Sequence, residues 1–85
     1  MDIKQQFDEA VSESKSLQDR PSNDTLLQLY SLYKQSTEGD ANSGPPANPF
    51  DFVAKAKYEA WTKLKGKSKT DAMNEYIALV KKLRV

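Results

Sequence analysis

Apolar residues recur at steps of three and four along most of this chain, a spacing that favours helices over strands. The first such segment comprises Ile3, Phe7, Ala10, Val11, Ser14 and Leu17. It predicts an amphipathic helix of about four turns, with Asp2 as its N-terminal cap. The helix is expected to stop before Pro21, because Pro21 and Ser22 mark a turn and a fresh helix start.

A second helix is predicted from about Asn23 to Glu38, and Gly39 is its natural C-terminal stop. The inner face of this helix is expected to consist of Leu26, Leu27, Leu29, Tyr30 and Tyr33. After it comes the segment DANSGPPANP, residues 40–49, whose glycine and prolines exclude regular structure. We interpret this segment as an ordered crossover loop.

The third helix should begin near Asn48 or Asp51 and end at Gly66. Its buried side chains are expected to be Phe52, Val53, Ala56, Ala60 and Leu64. The fourth helix opens at Ser68 with capping-box spacing, although Asp71 replaces the usual glutamate. Its inner face should consist of Ala72, Met73, Tyr76, Ile77, Val80 and Leu83.

Four helices without a strand signal predict an all-α bundle, and residues 1–85 are expected to form a single domain. The short first and third connections favour antiparallel neighbours. The longer middle connection permits an overhand crossing, which leaves the second and third helices running in the same direction.

The residues that the chain lacks exclude several classes of function. It contains no histidine and no cysteine, so the commonest general base, the commonest metal ligands and any disulfide are absent. No nucleophile–base pair or glycine-rich phosphate loop is present either. There is no run long enough to span a membrane and no signal-peptide pattern. We therefore expect a cytoplasmic binding protein without metal, and not an enzyme.

The charge is balanced overall but unevenly distributed. The net charge is +1, with six acidic and three basic residues in Met1 to Asp24. In contrast, Lys55 to Lys69 contains six lysines and one acidic residue, Glu59. A locally positive region on a nearly neutral molecule fits a small anionic ligand better than a long nucleic acid.

Tyr30, Tyr33 and Lys34 share one stripe of the second helix, within an arc of about 100°. Two interpretations are open. The rings can cap a small core beside a solvated lysine, as aromatic stripes usually do. Alternatively, a tyrosine hydroxyl and the ammonium converge on a phosphate, and the second ring stacks on a base.

Other polar and aromatic residues carry weaker signals. Lys55 and Lys57 lie about 200° apart on a helix, so at most one of them contacts a ligand in one site. Trp61 is expected in the core with its indole N–H bonded near the surface. Tyr76 lies among apolar positions, and its hydroxyl must find a partner in the protein or in a ligand. Lys15 has no specific signal of its own.

Three long elements occur in a recognisable order. YSLYKQSTEGD is followed by the proline-rich loop and then by DFVAKAKYEAWTKLKGKSKTDAMNEYIALV. From Phe7 through Val80 the chain resembles the acyl-CoA-binding protein family, also called diazepam-binding inhibitor. The resemblance implies a four-helix bundle of up-down-down-up topology that binds medium- and long-chain acyl-CoA esters. It also implies carriage and buffering of that ligand, without catalysis and without a cofactor.

The resemblance also implies which residues contact the ligand: Phe7, Ala10, Val11, Lys15, Leu27, Tyr30, Tyr33, Lys34, Lys57 and Tyr76. Within this set, Tyr30, Lys34 and Lys57 should hold the 3′-phosphate of the CoA ribose. Tyr33 should lie against the adenine with Leu27 nearby, and Tyr76 should contact the CoA and acyl portions. The four residues of the first helix should border the ligand.

The chain departs from the family pattern at a few positions, and one alternative function stays open. Val53 stands where many members carry a basic side chain, and the proline-rich loop is about one residue longer, which leaves the preferred acyl length open. The alternative is a helical interaction module that docks an acidic partner through its basic third helix. For the carrier we expect a monomer that binds no nucleic acid and does not insert stably into membranes.

Overall fold

The structure, a computed structural model, describes residues 2–41, 44 and 47–84. These residues contain four α-helices and no strand: α1 Ile3–Ser14, α2 Asn23–Glu38, α3 Phe52–Thr62 and α4 Lys69–Leu83. The prediction of an all-α protein is therefore confirmed. The middle of the predicted crossover loop, at residues 42, 43, 45 and 46, lies outside the described residues.

Each helix begins at a side-chain cap. In every case the cap oxygen accepts a hydrogen bond from the backbone N–H three residues later, and the caps are Asp2, Ser22, Asp51 and Ser68. Such a bond satisfies one of the N–H groups that a helix start leaves without a partner. At the other end of α2, Gly39 has a φ of 81°, a conformation that side chains with a Cβ rarely adopt. The predicted caps at Asp2, Ser68 and Gly39 are thus confirmed.

The helices do not all pack on one another. Among the described residues, α4 packs against both α1 and α2, and α2 also packs against α3. The backbones of α1 and α2 do not approach each other closely, because both lie on α4 instead. A groove therefore remains between α1 and α2, and side chains line it.

Side-chain pairs show that α2 and α3 run in the same direction. Tyr30 lies beside Lys57, and one turn further along both helices Lys34 lies beside Trp61. This parallel arrangement requires the long overhand crossing that the sequence predicted.

The outer helices α1 and α4 also run in the same direction. Phe7 and Met73 line one cavity near the N-terminal ends of the two helices, while Glu13 pairs with Arg84 at their C-terminal ends. Helices α1 and α2 are antiparallel, because Lys4 lines a cavity with Thr37 while Ser14, at the other end of α1, lines a groove with Leu29. The topology is therefore up-down-down-up.

The core lies where α1, α2 and α4 meet. Its buried members are Phe7, Ala10, Leu29, Leu32, Ala72, Tyr76, Ile77 and Val80. Met73 and Leu83 pack against this cluster from its edge, which confirms the predicted inner face of α4. Removing these apolar surfaces from water is the main force that holds the three helices together.

The predicted inner face of α2 is confirmed only in part. Leu29 is buried and Leu26 packs against the core from its edge, but Tyr33 is 41% exposed. The buried positions are instead Leu29, Ser31, Leu32, Gln35 and Ser36. The physical reason is that α2 is packed between α3 and α4, so its buried arc includes polar positions. Their donors bond to backbone carbonyls, as when Ser36 Oγ donates to the Leu32 carbonyl at 2.6 Å. Gln35 Oε1, in contrast, is buried without a hydrogen-bond partner among the described residues.

The predicted third helix also needs correction. Helix α3 ends at Thr62, and the next residues form a tight turn in which the Lys67 N–H donates to the Leu64 carbonyl at 2.9 Å. Phe52 and Val53 are 71% and 66% exposed, so their predicted burial is wrong. They belong to the first turn of α3, which lines a surface groove and not the core.

Helix α1 is shorter than predicted. It ends at Ser14, Lys15 is its C-terminal cap, and Leu17 lies beyond the helix, only partly buried. The backbone N–H of Lys15 still bonds to the Ser12 carbonyl, so the last turn tightens before the chain leaves. Within the described part of the chain, no helix is both long enough and apolar enough to cross a membrane.

Candidate functional site

A groove of about 360 Å³ lies between α1 and α2 and has a residue of α4 as its floor. It is hereafter the tyrosine groove, and its lining residues are Val11, Ser14, Lys15, Leu29, Tyr30, Tyr33 and Tyr76. Five of the ten predicted ligand contacts are among them. The groove exists because α1 and α2 both pack on α4, and the large side chains of α2 then point into the gap between them.

Two tyrosines that line the tyrosine groove, Tyr33 and Tyr76, contact a buried phenylalanine behind it. The ring of Phe7 is stacked on Tyr33 at a centroid distance of 6.0 Å and an interplanar angle of 23°. It also meets Tyr76 edge-on at 5.1 Å. Phe7 and Tyr76 are both buried, whereas Tyr33 is exposed. Phe7 thus supports from within a ring that is open to a ligand, and offset or edge contacts of this kind are favourable between aromatic rings.

The hydroxyl of Tyr76 has its partner inside the protein. It donates to Ser14 Oγ at 3.0 Å, and Ser14 Oγ in turn donates to the Val11 carbonyl at 2.7 Å. Burial raises the pKa of the Tyr76 phenol above its ordinary value. Tyr76 therefore presents a neutral ring to the floor of the groove, and its hydroxyl bond ties α4 to α1.

One lysine of α3 reaches the aromatic stripe of α2. Lys57 Nζ lies 5.3 Å from the centre of the Tyr30 ring, within the range of a cation–π contact. Lys55 is exposed and lines none of the cavities described here. This agrees with the expectation that at most one of the two lysines points toward the site.

Lys34 completes the cationic side of the site. Its ammonium lies 5.0 Å from the centre of the Trp61 ring and forms an ion pair with Glu38, one turn further along α2. The hydrogen bond to Glu38 raises the pKa of Lys34 above its ordinary value, and the nearby phenols of Tyr30 and Tyr33 act in the same direction. Lys34 is therefore fully charged at neutral pH and stands beside both tyrosines.

The end of α2 is held firmly to the turn between α3 and α4. Trp61 Nε1 donates to the Gly39 carbonyl at 2.9 Å, which confirms the predicted bond of the buried indole. Gln35 Nε2 donates to Asp40 Oδ1 at 2.9 Å and to the Lys67 carbonyl at 2.7 Å. These long-range bonds fix the turn of α2 that carries Lys34.

Asp40 takes part in the same attachment. Its Oδ1 also accepts a bond from the Gly66 N–H at 2.8 Å. That backbone bond, together with the bond from Gln35, lowers the pKa of Asp40 below its ordinary value. The carboxylate is therefore ionised at neutral pH, where it accepts both bonds.

A second and larger groove of about 660 Å³ lies between the start of α2 and the start of α3. It is hereafter the apolar groove, and its lining residues are Arg20, Asn23, Leu26, Leu27, Tyr30, Phe52, Val53, Ala56 and Lys57. Tyr30 lines both grooves, so its ring is the wall that they share. A ligand with a charged aromatic part and an apolar part can therefore occupy both grooves around one residue.

The remaining predicted contacts lie around these grooves. Leu27 and Lys57 line the apolar groove. Phe7 lies behind Tyr33 in the core, and Ala10 is buried on the side of α1 that faces α4. Neither Phe7 nor Ala10 lines the tyrosine groove, so they can shape it only through their neighbours.

Sequence reasoning missed Glu38, which did not enter the predicted site. Its signal was available, since Lys34 and Glu38 are four residues apart on a helix and opposite charges at that spacing commonly pair. It also missed the role of Phe52 and Val53, whose apolar character suggested burial. Among the described residues, no group of three acidic, histidine or cysteine side chains is placed to hold a metal ion.

Comparison with known proteins gives a consistent result. Residues 4–80 match the family model described as acyl CoA binding protein. An acyl-CoA-binding protein of Dictyostelium discoideum is 51% identical over 77 residues, which cover 91% of this chain and 90% of that protein. The acyl-CoA-binding protein of Saccharomyces cerevisiae is 47% identical over 81 residues, or 95% of this chain and 92% of that protein.

The fold comparison agrees with the sequence comparison. The crystal structure of Oryza sativa acyl-CoA-binding protein 2 superposes with a TM-score of 0.90 at 40% identity. The match covers 96% of this chain and 90% of the rice chain. Four-helix architecture and sequence similarity thus coincide over nearly the same residues.

Proposed function

This chain belongs to the acyl-CoA-binding protein family, and we propose on that premise that it binds, buffers and transports medium- and long-chain fatty acyl-CoA esters. The family is one of non-catalytic binding proteins. The observation that carries the proposal is the junction at Tyr30, where a groove of aromatic and cationic side chains meets an apolar groove. An acyl-CoA ester has the same two-part chemistry, with an anionic nucleotide at one end and a hydrocarbon tail at the other.

The phosphate on the ribose is assigned to Tyr30, Lys34 and Lys57. Two of these residues already lie together, since the Lys57 ammonium lies over the Tyr30 ring. Lys34 lies one turn after Tyr30 on α2, so the two side chains share one face of the helix. Hydrogen bonds from ammonium groups to a phosphate are roughly twice as strong as bonds between neutral groups. A tyrosine with two lysines beside it therefore suits a phosphate carrying two negative charges.

The adenine is assigned to the exposed ring of Tyr33. Phe7 supports this ring from the core side, so it is held in place before any ligand arrives. Stacking of a base on an aromatic side chain contributes about 1–3 kcal/mol. Lys15 adds a cation on the opposite wall, while Val11 and the ring of Tyr76 form the apolar surface beneath. Ala10 contributes indirectly, by allowing α1 to pack closely on α4.

The acyl tail is assigned to the apolar groove, beside Leu27. Phe52 and Val53 are large apolar side chains that lie exposed along this groove, and a hydrocarbon chain would cover them. Burial contributes about 0.8 kcal/mol per methylene, so ten sheltered methylenes give on the order of 8 kcal/mol before the cost of ordering the chain. The nucleotide would then set which ligand is recognised, and the tail would set how tightly it binds.

Titration calorimetry with palmitoyl-CoA, free CoA and palmitate tests this function. We expect palmitoyl-CoA to bind much more tightly than either part alone, because only the whole ester fills both grooves. Across a series of saturated acyl-CoA esters, affinity should rise with chain length and level off once the apolar groove is full. Comparable affinity for the three ligands, or no binding of the ester, would contradict the proposal.

We also propose that the chain acts as one binding domain, as a monomer in the cytoplasm. Support for a single domain comes from the family match, which spans residues 4–80. The absence of cysteine from the sequence suits a reducing interior. The alternative of a module that docks acidic partners is not favoured, since the family match spans residues 4–80 and the ammonium of Lys57 lies over the Tyr30 ring.

A further inference from the structure

An acidic residue that the proposed function does not use lies beside one of the lysines assigned to the phosphate. Glu38 forms an ion pair with Lys34, and the two side chains are 40% and 24% exposed, respectively. The side chain of Lys34 is thus more buried than that of Glu38, and its ammonium is already paired with a carboxylate. A phosphate that binds Lys34 would meet this carboxylate.

The position of Glu38 on the helix gives it little other support. It is the last residue of α2, where the free backbone carbonyls already create a negative potential. A carboxylate is unfavourable at that end of a helix, whereas the ammonium of Lys34 is favourable there. The described contact that compensates Glu38 is the pair with Lys34.

We infer that Glu38 is a specificity-determining residue, whose carboxylate competes with the ligand's phosphate for the ammonium of Lys34. This inference rests on the proposed function and adds a residue to it. A ligand with the ribose phosphate must either displace Glu38 from Lys34 or bind beside its negative charge. Both outcomes weaken binding, and neither affects a ligand that lacks this phosphate.

The opposite role for Glu38 would be to hold Lys34 in place for the ligand. The surroundings of Lys34 argue against it, because the Trp61 ring already lies beneath the ammonium. Trp61 is itself fixed by its bond to the Gly39 carbonyl. The fixed Trp61 ring can therefore orient the ammonium of Lys34 without Glu38, whereas the negative charge beside Lys34 comes from Glu38.

The test compares Glu38→Gln with the wild-type protein, using palmitoyl-CoA and its 3′-dephospho analogue at low ionic strength. Glutamine keeps the size of the side chain and removes its charge. We expect palmitoyl-CoA to bind about fivefold more tightly to the variant, the effect of removing one like charge near the protein surface. The dephospho ester should bind wild type and variant equally.

Glu75→Gln is the matched control, because Glu75 also pairs with a lysine, Lys67, and neither residue lines the two grooves. It changes the net charge equally and should leave both affinities unchanged. Glu38→Asp, which keeps the charge, should not reproduce the gain.

Several results would overturn the inference alone. These are unchanged or weaker binding of palmitoyl-CoA by Glu38→Gln, equal gains for both esters, or the same gain in Glu75→Gln. Failure of the wild-type protein to bind palmitoyl-CoA would overturn the proposed function as well, so the two failures are distinguishable. Thermal unfolding of each variant, followed by circular dichroism, checks that all samples are folded.

Discussion

Replacing Lys34 with alanine is expected to weaken the binding of palmitoyl-CoA by about tenfold to a hundredfold. The loss follows from removing a hydrogen bond between two charged groups, which contributes about 1.5–3 kcal/mol. Lys34 is only partly exposed and stands beside both tyrosines, so in the variant a water molecule compensates the phosphate only weakly for the missing ammonium. The 3′-dephospho ester should lose far less, because it lacks the group that Lys34 is proposed to bind. Titration calorimetry with both esters measures the difference.

Two further variants make this experiment specific. Lys55→Ala removes the same charge from an exposed position that lines neither groove, and it should change neither affinity. Tyr30→Phe keeps the ring that separates the grooves and removes only its hydroxyl. This variant should therefore also lose affinity for the phosphorylated ester alone. Equal losses for the two esters would show that the ribose phosphate is not the target of Lys34 and Tyr30.

The second large effect concerns stability. Trp61→Ala is expected to lower the free energy of unfolding by about 3–5 kcal/mol, the usual range for truncating a buried large aromatic side chain. Trp61 is buried, its indole N–H bonds to the Gly39 carbonyl, and its ring lies under Lys34. The substitution leaves a cavity between α2 and α3 and frees the end of α2. Urea denaturation followed by circular dichroism measures the change, since Trp61 is the only tryptophan available for fluorescence.

Tyr58→Ala is the control for this variant. Tyr58 lies on the same helix and is only partly buried, so its truncation should lower the free energy of unfolding clearly less than Trp61→Ala does. If Trp61→Ala lowers the free energy of unfolding by less than about 1 kcal/mol, the indole is not packed in the core as the structure shows, because truncating a buried indole normally destabilises a protein by more than this.

The helix starts could be predicted because their signals are local. Asp2 and Ser68 each bond to a backbone N–H three residues away, so the short stretch of sequence around each of them contains both partners. Gly39 ends α2 through its own backbone conformation. The bond of the Trp61 indole could also be anticipated in kind, because a buried indole N–H requires an acceptor, although the Gly39 carbonyl could not be named in advance.

The burial of α2 could not be predicted in the same way. Which arc of a helix is covered depends on where its neighbours lie, and α2 has neighbours on two sides. Gln35 is fully buried, and its Nε2 donates to Asp40 Oδ1 and to the Lys67 carbonyl. Lys67 is 32 residues away along the chain, so no local pattern indicates this partner. Apolar periodicity therefore favoured the tyrosines for the core, and the structure leaves them lining a groove.

In the candidate site, too, local features could be predicted and features that depend on distant residues could not. The family resemblance indicated ten ligand contacts. Seven of these residues line one of the two grooves, and Lys34 lies beside them. The other two, Phe7 and Ala10, lie in the core behind the tyrosine groove. The pair of Lys34 with Glu38 is local and was detectable from spacing. The exposure of Phe52 and Val53 was not detectable, because an apolar residue that lines a groove resembles a core residue in sequence.

A crystal structure of the protein bound to palmitoyl-CoA would locate both parts of the ligand. We expect the ribose phosphate within hydrogen-bonding distance of the Tyr30 hydroxyl and of the ammonium groups of Lys34 and Lys57. The adenine should lie against Tyr33, and the acyl chain should run along Phe52 in the apolar groove. A complex in which both grooves are empty, with the ester bound elsewhere on the surface, would contradict these assignments.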